Sequence, residues 1–533
     1  MDLPPGCMVS EKQCQKVCKL KKSLYGLKQS PRAWFGRFTK SMRAFGYRQS
    51  NSNHTLFLKK QHGKITTLIV YVDDMVVTGN DPEERKALQN YLSREFEMKD
   101  LGPLKYFLGI EVSRSSEGIF PSQRKYALNL LQETGMSGCQ PVNTPIEEGL
   151  KLCVEHNQVS TDKGRYQRLV GRLMYLAHTR PDLAYALSVV SQYMHNPGEQ
   201  HMNAVMRILR YLKNASGKGI LFAKNVDHQS IEVYTDADWA GAVDDRRSTS
   251  GYFTFVGGNL VTWKSKKQNV VARSSAEAEF RGMSLGLCEA LWLRLLLQDL
   301  GYLSRQLIRL FCDNKAACDI AHNPVQHNRT KHVEVDRFFI KEKLDDKIVE
   351  LPKIRSEDQL ADILTKAVSS QVFSKFLDKL GMDEDLTTQL EEIENQLLAQ
   401  RQERKPSQQS GEAERKERKP SQQSGEAERQ ERKPSQQSGE TERKERKPSQ
   451  QSGSGGFIKA PAFEATTASK KMKLPANMRE GNAKATVAKG DDDDEEVDAK
   501  ADDFINKFKQ QLKLQRLDST IRYKEMIGRG SGK

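Results

Sequence analysis

The chain has 533 residues, and 85 lysines and arginines against 70 acids leave a formal charge of +15. That length predicts several domains of roughly 150 residues each, and the surplus of cations suits a polyanionic partner. Eight cysteines with no CxxC pair, and with no second ligand pair at zinc spacing after Cys14 and Cys18, argue against a zinc module or a disulfide scaffold and fit a reducing compartment.

From the N-terminus, "KLKKSLYGLKQSPRAWFGRF" carries Lys28, Gln29 and Arg32 where a loop runs into a helix. Residues 65–79, "ITTLIVYVDDMVVTG", form an apolar run with Asp73 and Asp74 at its centre. A buried strand excludes unpaired charge, so two strands meeting at a tight turn are predicted, with both aspartates at the tip. Neighbouring carboxylates repel unless a cation screens them. Oxygen-only ligands suit Mg²⁺, and two such ions about 4 Å apart can hold the attacking and leaving oxygens of a phosphoryl transfer. Asp is also common in plain surface turns.

Four further acidic elements lie within 231–370. "IEVYTDADWAG" alternates like a strand and ends on Asp236 and Asp238; "SSAEAEFRGMSLGLCEALWL" opens a helix with Ser274 or Ser275 as cap and Glu277 and Glu279 near its start. "IRLFCDNKAACDIA" runs from strand to helix through Asp313, and "VELPKIRSEDQLADILTKA" ends in a helix containing Asp362. Strand ends and helix starts of an α/β sheet converge on one edge, where such acids could share two Mg²⁺. As isolated residues, they would read as caps and surface turns. The most apolar stretch, "LGLCEALWLRLLLQDLGYL", is interrupted by Glu289, Arg294 and Asp299 and reads as a buried helix. With no signal-peptide pattern at the start, a soluble intracellular protein without a membrane span is expected.

Beyond about residue 370 the composition changes. Residues 403–453 repeat a 14-residue unit, "ERKPSQQSGEAERK", that has no large apolar side chain. Such a unit cannot offset its own ordering entropy, so a disordered mixed-charge linker is expected. The acidic run "DDDDEEVD" precedes a segment in which Phe504, Phe508 and Leu512, then Leu514, Leu517 and Ile521, mark one helical stripe. That helix is too small for a core of its own and suits docking on a protein partner.

Taken together, "KLKKSLYGLKQSPRAWFGRF", "LIVYVDDMVVTG", "EFEMKDLGPLKYFLGIEV", "PDLAYALSVVSQYMHNP", "VMRILRYLKNASGKGI" and "ADILTKAV" resemble, in order and spacing, the Pol polyprotein of copia-type LTR retrotransposons. The resemblance covers about the first 370 residues and implies a reverse transcriptase followed by a ribonuclease H. It implies Asp73 and Asp74 as metal-binding palm aspartates and Tyr71 as part of the primer-side motif. Lys28, Gln29 and Arg32 would contact template or phosphate. In the late domain, Asp236, Glu279, Asp313 and Asp362 would be the Mg²⁺ ligands, with Glu279 favoured over Glu277 and Asp238 a neighbour only. RNA within an RNA–DNA hybrid is the implied substrate.

The polymerase of that family needs a third carboxylate on an earlier palm strand. Only Asp2 and Glu11 precede "YGLKQ", so polymerase activity is expected to be absent and one sheet edge left unpaired. The last forty residues resemble the C-terminal motif of plant cotton-fibre-expressed proteins, which makes the chain a chimera.

The expected fold is α/β: an α+β palm fragment (1–112), a helical thumb and connection (113–230) and a ribonuclease H-like mixed sheet with helices (231–370). After these come a helical linker (371–402), disordered repeats (403–453), a disordered segment with an acidic end (454–500) and an amphipathic helix (501–528). A hybrid-cleaving nuclease and a non-catalytic nucleic-acid-binding or host-fusion interaction protein both remain open.

Overall fold

Period-two burial explains the first layer. In the strand Asp74–Gly79, Met75 and Val77 point into a core while Asp74, Val76 and Thr78 face partly outward. The computed structural model describes residues 30–72, 74–224, 230–302, 306–322, 334–383 and, for the backbone alone, 464–469. The repeats and the segment 501–528 lie outside the described residues.

The palm comprises α1 (Ser30–Ala44), β1 (Arg48–Gln49), β2 (Leu56–Gln61), β3 (Lys64–Tyr71), β4 (Asp74–Gly79), α2 (Pro82–Phe96) and β5 (Lys99–Pro103). Phe38 and Met42 of α1 and Leu88, Leu92 and Phe96 of α2 close over Phe57, Leu68, Val70, Met75 and Val77. α2 opens on a cap and a proline: Asp81 caps it by accepting from Glu84 N at 3.2 Å, and Pro82 occupies the first turn. β3 and β4 form an antiparallel hairpin with Tyr71 opposite Asp74. Val72, in the turn, is left-handed at φ 48°, a conformation that costs a β-branched residue about 1–2 kcal/mol.

A further strand, β15 (Glu464–Ser469), lies between β4 and β5 and is antiparallel to both, with Ser469 opposite Asp74 and Glu464 opposite Gly79. Of the segment 454–500, expected to be disordered, the structure describes these six residues. β4 and β5 do not pair with each other and present two open ladders one strand apart. A short extended segment containing Thr466 and Thr467 satisfies both.

The next segment holds a small antiparallel sheet, β6 (Tyr106–Phe107), β7 (Ile110–Arg114), β8 (Gly118–Ser122) and β9 (Phe222–Ala223), with the helices α3 (Arg124–Glu133), α4 (Lys163–Leu176), α5 (Ala184–Val190) and α6 (Glu199–Asn214). Its core is continuous with one face of the last sheet: Leu173, Leu187 and Leu209 belong to the same buried cluster as Phe253, Phe255 and Leu364.

That last sheet is mixed. It runs in the order β12 (Asn259–Lys267), β11 (Thr249–Val256), β10 (Ile231–Ala237), β13 (Ile308–Phe311), β14 (Val349–Glu350). The first three pair antiparallel, while β10 with β13 and β13 with β14 are parallel. α7 (Ser275–Leu300) crosses it, followed by α8 (Lys315–His322) and α9 (Glu334–Asp345), and α10 (Ser370–Lys379) ends the described globular part. Gly286 lets α7 lie close: a Cβ there would stand 2.7 Å from Thr235 Cγ2 and 2.9 Å from Val233 Cγ1. The far end of α7 meets the palm, where Asp299 accepts from Ser50 Oγ at 2.6 Å and Ser52 Oγ at 3.0 Å. No helix among the described residues is long and apolar enough to cross a membrane.

Candidate active site

Three elements deliver three carboxylates to one sheet edge. Asp236 is the penultimate residue of β10, opposite Gly251 of β11. Glu279 lies just past the first turn of α7, which is capped by Ser274, one of the two serines expected: Ser274 Oγ accepts from Glu277 N at 3.2 Å. Asp313 stands in the β13–α8 loop. One oxygen of each falls within 4.8 Å of the others; Asp236 and Glu279 are buried and Asp313 half-buried.

Glu277 takes no part. It accepts from Arg273 N at 2.9 Å and Arg281 Nη2 at 3.1 Å, so it serves the helix start. Asp238 accepts from Thr249 N and stays outside the group, with burial pushing its carboxyl up to about 6. Asp362 is adjacent to the group without joining it. The helix expected around it is a short one of the tighter 3₁₀ kind, Leu360–Leu364. The turn is anchored by Gln359, which donates from Nε2 to Thr235 O at 3.0 Å, one residue from Asp236. Burial, then the charge of Asp236, pushes Asp362 up to about 6.

Burial, then the charges of Asp236 and Asp313, raises Glu279 far above the ordinary carboxylate range. The Cys312 thiol donates to Glu279 Oε2 at 3.8 Å. Thr365 Oγ1 donates to Asp236 Oδ2. Lys366 Nζ stands 3.0 Å from Asp362 Oδ1 and 3.7 Å from Asp236 Oδ2. Sequence reasoning missed Cys312, Thr365 and Lys366. The only advance signal was the i,i+4 spacing of Asp362 and Lys366, which favours an ion pair on any helical turn.

The residues that the resemblance implies for a polymerase site are less gathered. Asp73, Lys28 and Gln29 lie outside the described residues. Asp74 begins β4 at the hairpin end, Tyr71 is half-buried opposite it, and Arg32 is exposed on α1. Burial, with smaller contributions from Tyr175 and Asp74, holds the Tyr71 hydroxyl above its ordinary value. Among the described residues, the acid group at Asp236 is the one in which three potential ligands converge.

Residues 1–148 match the model of the family described as reverse transcriptase (RNA-dependent DNA polymerase). The retrovirus-related Pol polyprotein from transposon RE1 of Arabidopsis thaliana is 41% identical over 382 residues, 72% of this chain and 26% of that polyprotein. A putative transposon Ty5-1 protein of Saccharomyces cerevisiae is 31% identical over 280 residues, 52% of this chain and 90% of its own length. The chain belongs to the copia-type retrotransposon Pol family. It spans about a quarter of the RE1 Pol polyprotein (26%). Residues 494–529 match a second model, described as cotton fibre expressed protein, so this Pol segment carries a C-terminal sequence of another kind. Among solved structures, LC11 ribonuclease H1, isolated from compost, aligns over 28% of this chain and 99% of its own, at 16% identity and a TM-score of 0.21.

The raised acids of this Pol segment predict how metal and pH are linked. For an acid whose folded value lies above its unfolded one, stabilisation is complete below the ordinary value near 4 and is lost as pH rises through about 6 for Asp362 and Asp238, higher still for Glu279. Deprotonated, Glu279 and Asp362 would be better cation ligands. Any rise in Tm that Mg²⁺ causes is therefore expected to grow between pH 5 and pH 8, by about 5 °C. His201, held below its ordinary value by burial, acts in the opposite direction with and without metal and cancels in the difference. Differential scanning fluorimetry in matched buffers checks this; an Mg²⁺ effect that shrinks with pH would contradict it.

Proposed function

We propose that this chain cleaves the RNA strand of RNA–DNA hybrids at the Asp236 cluster. The carrying observation is the convergence of Asp236, Glu279 and Asp313, one oxygen each within 4.8 Å, with Asp362 beside them. An all-carboxylate donor set fits Mg²⁺ and fits poorly the softer metals that select thiolate or imidazole. Asp236, Glu279, Asp313 and Asp362 are the residues that would hold it. When bound, Mg²⁺ supplies positive charge that makes a water more acidic and offsets charge developing on phosphoryl oxygens.

The chain's own contribution is to fix the donors. Thr365 orients Asp236, the Cys312 thiol orients Glu279, and the 3₁₀ turn holds Asp362 at the same edge. Trp239, three residues past Asp236, is 55% exposed, and its Nε1 donates to Ala272 O at 3.1 Å. A fixed, open indole suits stacking on a base or sugar, and the chain's charge of +15 suits the phosphates.

The test is purified full-length chain with a hybrid labelled on its RNA strand, in Mg²⁺ and in chelator, beside single-stranded RNA and duplex DNA. RNA cleavage confined to the hybrid and to Mg²⁺ is expected. Binding without cleavage would favour the second reading, a non-catalytic host-fusion protein, which the cotton-fibre match at 494–529 supports.

A further inference from the structure

The 362–366 turn brings more than an acid to the cluster. Its backbone is closed by Thr365 N donating to Asp362 O at 3.1 Å and Lys366 N to the same oxygen at 3.0 Å, and Leu360, Ile363 and Leu364 are buried beneath it. A single rigid turn therefore presents a carboxylate, a hydroxyl and an ammonium to the end of β10. The ammonium bridges two acids on different elements, at 3.0 Å from Asp362 and 3.7 Å from Asp236. Its side chain is 48% exposed, so the flexible chain can leave the acids without unpacking a core.

Without a cation, four acids at one edge would repel one another. We infer that Lys366 is the built-in counter-ion of this cluster: it keeps Asp236 and Asp362 together in the metal-free protein and competes with a divalent cation for those two carboxylates. The lysine is thus a positioning residue that sets how much metal the site needs before it loads. This rests on reading the cluster as a cation site and does not require that the hybrid be cleaved.

Isothermal titration with Mn²⁺ at pH 7 and low salt, on the full chain and on Lys366→Met, Lys366→Gln and Lys366→Arg, tests it, with Asp236→Asn as the blank. One positive charge within 4 Å in a half-exposed site supports a change of about tenfold. Lys366→Met and Lys366→Gln are expected to bind Mn²⁺ about tenfold more tightly than the parent, while Lys366→Arg stays within about threefold of it. Without metal, the two neutral variants are expected to melt below the parent at pH 8 and to regain the difference on adding Mn²⁺. Two neutral variants guard against one failing to fold. Equal Mn²⁺ affinity in folded parent and neutral variants would overturn the role of Lys366 and leave the cation site standing. Binding absent from all of them, parent included, would overturn both.

Discussion

Asp236→Asn is expected to reduce hybrid cleavage by at least about 10³-fold, equivalent to roughly 4 kcal/mol of transition-state stabilisation, while leaving the fold intact. Asp236 is where the site's contacts meet. It shares the three-acid group with Glu279 and Asp313, accepts from Thr365 Oγ1 and faces Lys366 Nζ at 3.7 Å. Asparagine keeps the shape, and its carbonyl oxygen still accepts from Thr365. It loses the charge through which a carboxylate holds a hard cation, and the effect of the set is not divided among its members. Burial is the main cause that raises Glu279 and Asp362, and the same loss of charge removes the repulsion from Asp236 that adds to it. Metal-free Asp236→Asn should therefore melt at or above the parent temperature at pH 8. Rates on a labelled hybrid, read beside a melting curve, separate the two effects. Residual cleavage within tenfold of the parent would place the chemistry elsewhere.

Much of this site was legible because its acids occupy joints that announce themselves in sequence. The alternation of "IEVYTDA" marks a strand that ends beside Asp236, "SSAEAE" carries its own cap, and "LFCDN" breaks from strand to loop at Asp313. Choosing Glu279 over Glu277 needed the resemblance to ribonuclease H. The structure supplies a local reason, since Glu277 is taken by Arg273 N and Arg281. The helix at Asp362 was legible but its 3₁₀ type was not, because Leu360, Ile363 and Leu364 recur at spacings that fit an α-helix and a 3₁₀ turn alike. Lys366 was invisible for another reason: its second partner, Asp236, is 130 residues away, and no local pattern encodes that meeting. Nor could composition foresee β15, whose partners are two strand edges in a different part of the chain. Patterns within one element predict that element. Pairings between elements depend on which edges and charges the rest of the fold leaves open.

The largest stability effect is expected far from the acids, at Arg180. Its guanidinium is 1% exposed and forks onto Asp182, with Nε to Oδ1 at 3.0 Å and Nη2 to Oδ2 at 2.7 Å, and Nη1 donates to Ala215 O at 2.7 Å. Tyr211 OH completes the group by donating to Asp182 Oδ2 at 2.7 Å. A buried ion pair with its hydrogen bonds satisfied gains little net stability over apolar residues, whereas removing one partner strands a charge out of water and costs about 3–5 kcal/mol. Arg180→Met does this to Asp182, which is 2% exposed, and leaves the Ala215 carbonyl without that donor. Set against a typical net stability of about 5–15 kcal/mol, the loss should lower Tm by about 10 °C. The damage should also reach the acid cluster, because Tyr211 lies in the same buried core as Leu360, Ile363 and Leu364 beneath the Asp362 turn. Arg180→Met with Asp182→Leu removes both charges and is expected to recover more than half of the lost stability, a coupling that a double-mutant cycle in urea measures directly. Single and double variants equally unstable would mean that packing around Arg180, and not the stranded carboxylate, carries the cost.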